Sequence, residues 1–94
     1  MTMDDATIRR YLTEPRLAVL GIVSAGGIRD AGDVVPAWLE SMSPITPAHE
    51  RRLPRIARQL LWQLANLGWI ERSDGFWTAT TLGRHARDLA PVRG

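Results

Sequence analysis

Cysteine and lysine are both missing from the 94 residues. Without cysteine there are no disulfides, no thiolate metal ligands and no cysteine nucleophile, which fits a cytoplasmic protein. Long apolar runs are missing too. The longest, Leu17 to Val23, contains Gly21 and is far too short to span a bilayer, so no membrane partner is expected. The acidic start Met1-Thr2-Met3-Asp4-Asp5 has no apolar stretch behind it, against a signal peptide. No nucleophile–base spacing, glycine-rich phosphate loop or framed carboxylate pair occurs, and the expectation is that the chain is not an enzyme. His49 and His85 lie far apart without metal-ligating company, so they read as surface residues, with no metal or cofactor expected.

What remains is 45% hydrophobic, enough for a small core, and the length suits one domain over residues 1–94. A domain of this size buries only about two-thirds of its unfolded surface, so extra stabilisation from a partner or a second copy is unsurprising. The net charge is +2, and all 12 basic residues are arginine. Codon bias in a GC-rich genome is the plain explanation. The physical consequence holds either way: arginine forks bind phosphates and guanine edges bidentately.

Along the chain, Asp4 and Asp5 favour a helix start, and an amphipathic N-terminal helix over 1–12 carries Ile8, Tyr11 and Leu12 on one side. Thr13 as N-cap and Pro15 in the first turn open the next helix, which is apolar almost all round and stops at Gly26-Gly27. A buried strand is the alternative for so short an apolar run. Ile28 to Gly32 reads as a loop or very short strand. Asp33 is the expected cap of a helix at 33–43 carrying Val34, Trp38, Leu39 and Met42, with Pro36 tolerated in its first turn. Ser43 to Pro47 reads as a turn, and Thr46-Pro47 as a start signal for a helix to about residue 67. Pro54 either kinks that helix or divides it at 53/54. Its Leu53, Ile56, Leu60, Leu64 and Leu67 gather on one side, with Arg51, Arg55, Arg58, Gln59, Trp62 and Asn66 on the other. The runs 69–72 and 76–79 are β-prone, and Asp74-Gly75 between them supplies the positive φ of a hairpin turn. Thr80 caps a C-terminal helix at 81–90, with Leu82, Ala86 and Leu89 on one face and Pro91 as its stop.

The fold class is therefore mainly α with one small β-hairpin. A two-stranded hairpin is marginal alone. Placed after the arginine-rich helix, it braces that helix's C-terminal end and leaves the N-terminal half to project. This order resembles the winged helix-turn-helix domain of ArsR-, MarR- and PadR-type transcriptional regulators. The resemblance is carried by Leu64-Ala65-Asn66-Leu67-Gly68-Trp69-Ile70-Glu71-Arg72, similar to the family's L-x-x-L-G-(apolar)-(apolar)-E-R. Phe76-Trp77-Thr78-Ala79-Thr80-Thr81-Leu82-Gly83-Arg84 is similar to its aromatic-x-x-(apolar)-T-x-x-G-R. It is strongest over residues 60 to 87.

The resemblance implies a sequence-specific DNA-binding regulator, a repressor acting as a homodimer. The helix at about 47–67 would lie in the major groove of double-stranded DNA, with 33–43 as its buttress. The expected DNA-binding residues are Arg51, Arg52, Arg55, Arg58 and Gln59, arginines for phosphates and guanine edges, glutamine for adenine. The competing reading of the arginines is a solvated face. Trp62 falls on the arginine side; packing within the chain, for instance toward Trp38, is the expectation, and a dimer or partner contact the alternative. The expected dimer surface joins Ile8, Tyr11 and Leu12 to Leu82 and Leu89. A winged-helix protein-interaction module without DNA binding, using Trp62, Trp77 and the hairpin, is the rival function.

Overall fold

The computed structural model describes residues 4–41 and 45–90. Met42, the Ser43-Pro44 turn and the Pro91 stop therefore lie outside the described residues. Helix α1 (Asp5–Tyr11) starts where the Asp4 carboxylate accepts the Thr7 amide at 2.7 Å. Hydrogen bonding by the Thr7 side chain and amide holds the Asp4 carboxyl below its ordinary range. Helix α2 (Glu14–Ala25) is capped by Thr13, has Pro15 in its first turn, and stops at Gly26 with φ 94°. The strand alternative for this run is thereby excluded.

Helix α3 (Ala31–Ser41) begins two residues before the position expected from Asp33. Asp30 supplies the side-chain acceptor, taking the Gly32 amide at 2.9 Å. Asp33 lies inside the first turn and reaches back to the Arg29 amide at 2.9 Å and its Nε at 3.2 Å. Between them the two carboxylates satisfy the Gly32 amide in the first turn and the Arg29 amide just before the helix. The earlier start moves Pro36 beyond the first turn into the helix interior, where its missing N–H leaves one carbonyl of the ladder unbonded. Gly32, whose carbonyl is the one left, and Pro36 are both exposed, so that carbonyl is open to solvent.

Helix α4 (Pro47–Asn66) runs unbroken through Pro54, which excludes division at that point. Pro54 also faces solvent, and its missing amide opens no gap in the core. Leu53, Ala57, Leu60, Leu61 and Leu64 are buried, while Ile56 and Leu67 are half-buried at the margins of the stripe. Each large buried side chain of this set contributes about 1.5–3 kcal/mol of transfer free energy. That is enough to override the propensity cost of one proline, about 3 kcal/mol.

The end of α4 is a two-bond left-handed stop. The Gly68 amide, with φ 77°, bonds the Ala65 carbonyl at 3.0 Å, and the Trp69 amide bonds the Leu64 carbonyl at 3.0 Å. Trp69 and Leu64 are both fully buried, supplying the hydrophobic contact that accompanies such stops. Strands β1 (Ile70–Ser73) and β2 (Phe76–Ala79) then pair antiparallel from Ile70↔Ala79 to Ser73↔Phe76. Trp69 belongs to the core and not to the ribbon. Asp74 and Gly75 both have positive φ, 52° and 82°, as a two-residue turn matching strand twist requires.

Helix α5 (Thr81–Asp88) is locked onto this junction. The Thr80 hydroxyl donates to the Gly68 carbonyl at 2.6 Å and accepts the Gly83 amide at 3.0 Å. The Thr80 amide bonds the Trp69 carbonyl at 3.0 Å. A single core of buried residues includes Ile8, Val19, Leu20, Val34, Leu53 and Trp69. Among the described residues no helix is long and apolar enough to cross a membrane.

Candidate nucleic-acid interface

The face of α4 opposite its leucine stripe is where the expected site residues meet. At about 100° per residue, Arg51, Arg55, Arg58, Gln59, Trp62 and Asn66 share an arc of about 100°, with Arg52 at its edge. All seven are exposed. Arg51 is partly engaged, its Nε donating to the Pro47 carbonyl at 3.3 Å. Arg52, Arg55 and Arg58 make no ion pair with any described residue. Arg55, Arg58, Gln59 and Trp62 line one shallow groove of about 510 Å³. The sole carboxylate of α4 is Glu50, in its first turn. The face thus combines free guanidinium forks, an amide that can donate and accept, and one indole plane.

Trp62 corrects the expectation of packing within the chain: it is 68% exposed, whereas Trp38 is buried. The geometry explains the difference. Trp62 lies near the middle of the outward arc, about 160° from the buried stripe, and no described element covers that side. Asn66 turns its amide onto its own helix, donating to the Trp62 carbonyl at 3.0 Å.

The hairpin presents a different chemistry. Glu71 and Asp74 are exposed. Its one arginine, Arg72, is exposed but tied back: Nη2 donates to the Arg29 carbonyl at 3.1 Å and to the Gly75 carbonyl at 3.4 Å. The guanidinium also lies 5.3 Å from the Trp77 ring centroid. The Trp77 amide donates to the Ile28 carbonyl at 2.7 Å. The ribbon therefore clips the α2–α3 loop to the end of α4, and its tip offers a carboxylate where an anion-binding tip would need a cation.

Two further positions depart from expectation. Ile8, assigned to a dimer surface, is fully buried in the core, while Tyr11 from the same helix stays 40% exposed. One turn of α1 packs inward, because the other core elements leave an apolar gap there. His85 is exposed but not isolated: its Nε2 lies 2.8 Å from Asp5 Oδ1, tying α5 to α1. Eighty positions separate the pair, and no local pattern signals it. Among the described residues no cluster of His, Asp and Glu is arranged to hold a metal ion.

Compared with known proteins, the chain matches no family model, no curated protein and no solved structure. What it does must therefore be argued from its own geometry.

Proposed function

We propose that this chain is a winged helix-turn-helix regulator that reads double-stranded DNA with α4, acting as a homodimeric repressor. The observation that carries the reading is the exposed arc of α4, with Arg52, Arg55 and Arg58 in no ion pair with a described residue, beside Gln59. Element order supports it: α2, α3 and α4 precede the ribbon, and the Trp77–Ile28 bond supplies the short third-strand contact of such a fold. In this reading α3 buttresses α4, and the ribbon braces the helix without entering the minor groove, given Asp74 at its tip and Arg72 engaged by the Arg29 carbonyl and the Trp77 ring. The homodimer surface is built without Ile8, from exposed Tyr11 and the half-buried Leu12, Leu82 and Leu89.

The test is binding of a duplex selected from a random pool, measured by fluorescence anisotropy at two salt concentrations. A dimer placing Arg51, Arg55 and Arg58 on DNA engages roughly six anionic or base sites, so affinity falls about a thousandfold between about 50 and 200 mM salt. Replacing the three by alanine abolishes most binding and flattens the salt slope. The fold persists, because surface changes of this kind are usually worth less than about 0.5 kcal/mol. A folded triple variant that binds as tightly as the parent refutes the reading.

The exposure of Trp62 favours one second reading, a protein-interaction module docking through the same face. Its binding would be only weakly salt-dependent, which separates the two.

A further inference from the structure

An indole standing free among arginines sets two demands on whatever covers it. The occupant is anionic, because Arg55 and Arg58 on the same groove have no carboxylate partner among the described residues. It also has an apolar spot, because an exposed tryptophan gains most from covering its ring. The DNA major groove meets both demands, with anionic phosphates along its walls and base edges on its floor. Arginine matches guanine O6 and N7, glutamine matches adenine N6 and N7, and the thymine 5-methyl is the apolar group among them. The groove residues thus divide the edges between them, with Trp62 as the only apolar reader on the arc.

The helix fixes the spacing. Arg55 and Trp62 are seven residues apart on one arc, about 10 Å at 1.5 Å per residue. A helix seated in the groove advances along the duplex axis by less than its own length, so at about 3.4 Å per base step that is about two to three base pairs. On the reading of α4 as a major-groove helix, we infer that Trp62 is a specificity-determining residue. Its indole covers the 5-methyl of a thymine about two to three base pairs from the position faced by Arg55.

The test replaces thymine by deoxyuridine, one position at a time, in the best duplex selected by the parent protein. The exchange removes a methyl and leaves pairing intact. The parent loses about fourfold in affinity at one thymine in each half-site, the value of burying one methyl-sized group. Trp62→Ala binds the thymine and uracil duplexes equally. Arg55→Ala binds both more weakly but keeps the fourfold ratio, since the two contacts are separate. Trp62→Ala also keeps the parent's melting temperature and sedimentation coefficient. A ratio of one at every thymine in the parent, or a ratio that survives in Trp62→Ala, overturns the inference. So does loss of self-association in Trp62→Ala, which assigns the indole to a protein contact. Failure of the parent to bind any duplex is a different result and overturns the DNA-reading assignment itself.

Discussion

Gly83 and Gly21 are both helical glycines, and substituting each by alanine should move stability in opposite directions. A Cβ on Gly83 would strike the Trp69 carbonyl oxygen, and would lie 2.9 Å from its carbonyl carbon and 3.2 Å from its Cα. These are backbone atoms and cannot swing aside. Trp69 is pinned on both sides, its amide on Leu64 and its carbonyl accepting from Thr80. Relief requires α5 to lift from the junction. Overpacking of this kind costs about 3 kcal/mol or slightly more, and losing the Thr80–Trp69 bond adds about 1 kcal/mol. The better helix propensity of alanine returns about 1 kcal/mol. The net is a loss of about 3 kcal/mol, which lowers the melting temperature of a domain this size by about 12–24 °C. At Gly21 a Cβ meets nothing within 4 Å. There Gly21→Ala gains about 0.5–1 kcal/mol from propensity and a less flexible unfolded chain. Urea titration and thermal melts followed by circular dichroism measure both. A Gly83→Ala protein that melts at or above the parent would refute the close approach of α5 to Trp69.

Thr80→Val removes one acceptor and one donor, from the Gly83 amide and to the Gly68 carbonyl, and is expected to cost about 2 kcal/mol in urea titration; Thr80→Ser keeps both bonds and most of the stability. Asp33 titrates below the ordinary aspartate range because the Arg29 side chain and amide bond its carboxylate. A depressed folded value means its contribution is complete above the unfolded pKa of about 3.9 and is lost as pH falls through the lower folded value. The Arg29 amide resonance should therefore shift in acid with a midpoint below that of a free aspartate, and Asp33→Asn should abolish the shift.

What was legible in the sequence was local. Thr13, Thr46 and Thr80 announce their helices because a hydroxyl reaches an amide three residues on, whatever the rest of the fold does. Asp74-Gly75 announces its turn for the same reason: the backbone conformation is demanded by the two-residue loop itself. The leucine stripe of α4 follows from helical period alone. Errors arose where packing chooses among locally equal options. Asp30 and Asp33 are both fair caps, and the side chains of both are used, so the start of α3 could not be placed from type alone. Ile8 and Tyr11 share one amphipathic helix, but only the rest of the core decides that Ile8 is enclosed and Tyr11 is not. Packing within the chain is the expectation for Trp62, yet its azimuth already puts it among the arginines, where it is exposed. Azimuth was the better guide. Arg51, Arg52, Arg55, Arg58 and Gln59 lie exposed on the outer face because a long amphipathic helix has only two sides to offer.

The residues that carry the family resemblance are not the residues that would touch DNA. Leu64, Gly68, Trp69, Thr80 and Gly83 bond or pack against one another and make the joint between α4, the ribbon and α5. A protein-docking module of the same shape would need the same joint, so the motif speaks for the fold and is silent on function. Function is written where the fold leaves the choice open. On the exposed arc of α4, alanine, glutamine, glutamate and arginine are nearly equal as helix formers. Folding alone would favour mixed signs there. Instead Arg51–Arg55, Arg52–Arg55 and Arg55–Arg58 stand at like-charge spacings of three or four residues, each unfavourable by about 0.2–0.5 kcal/mol. Among the described residues no carboxylate offsets Arg52, Arg55 or Arg58. The helix carries roughly 1 kcal/mol of self-repulsion from these pairs that its own packing does not require. An anionic surface laid along the arc turns that repulsion into attraction, and at low salt the gain is largest. The arrangement is unfavourable for the free protein and favourable for a polyanion complex, which is the bias a DNA-reading helix needs.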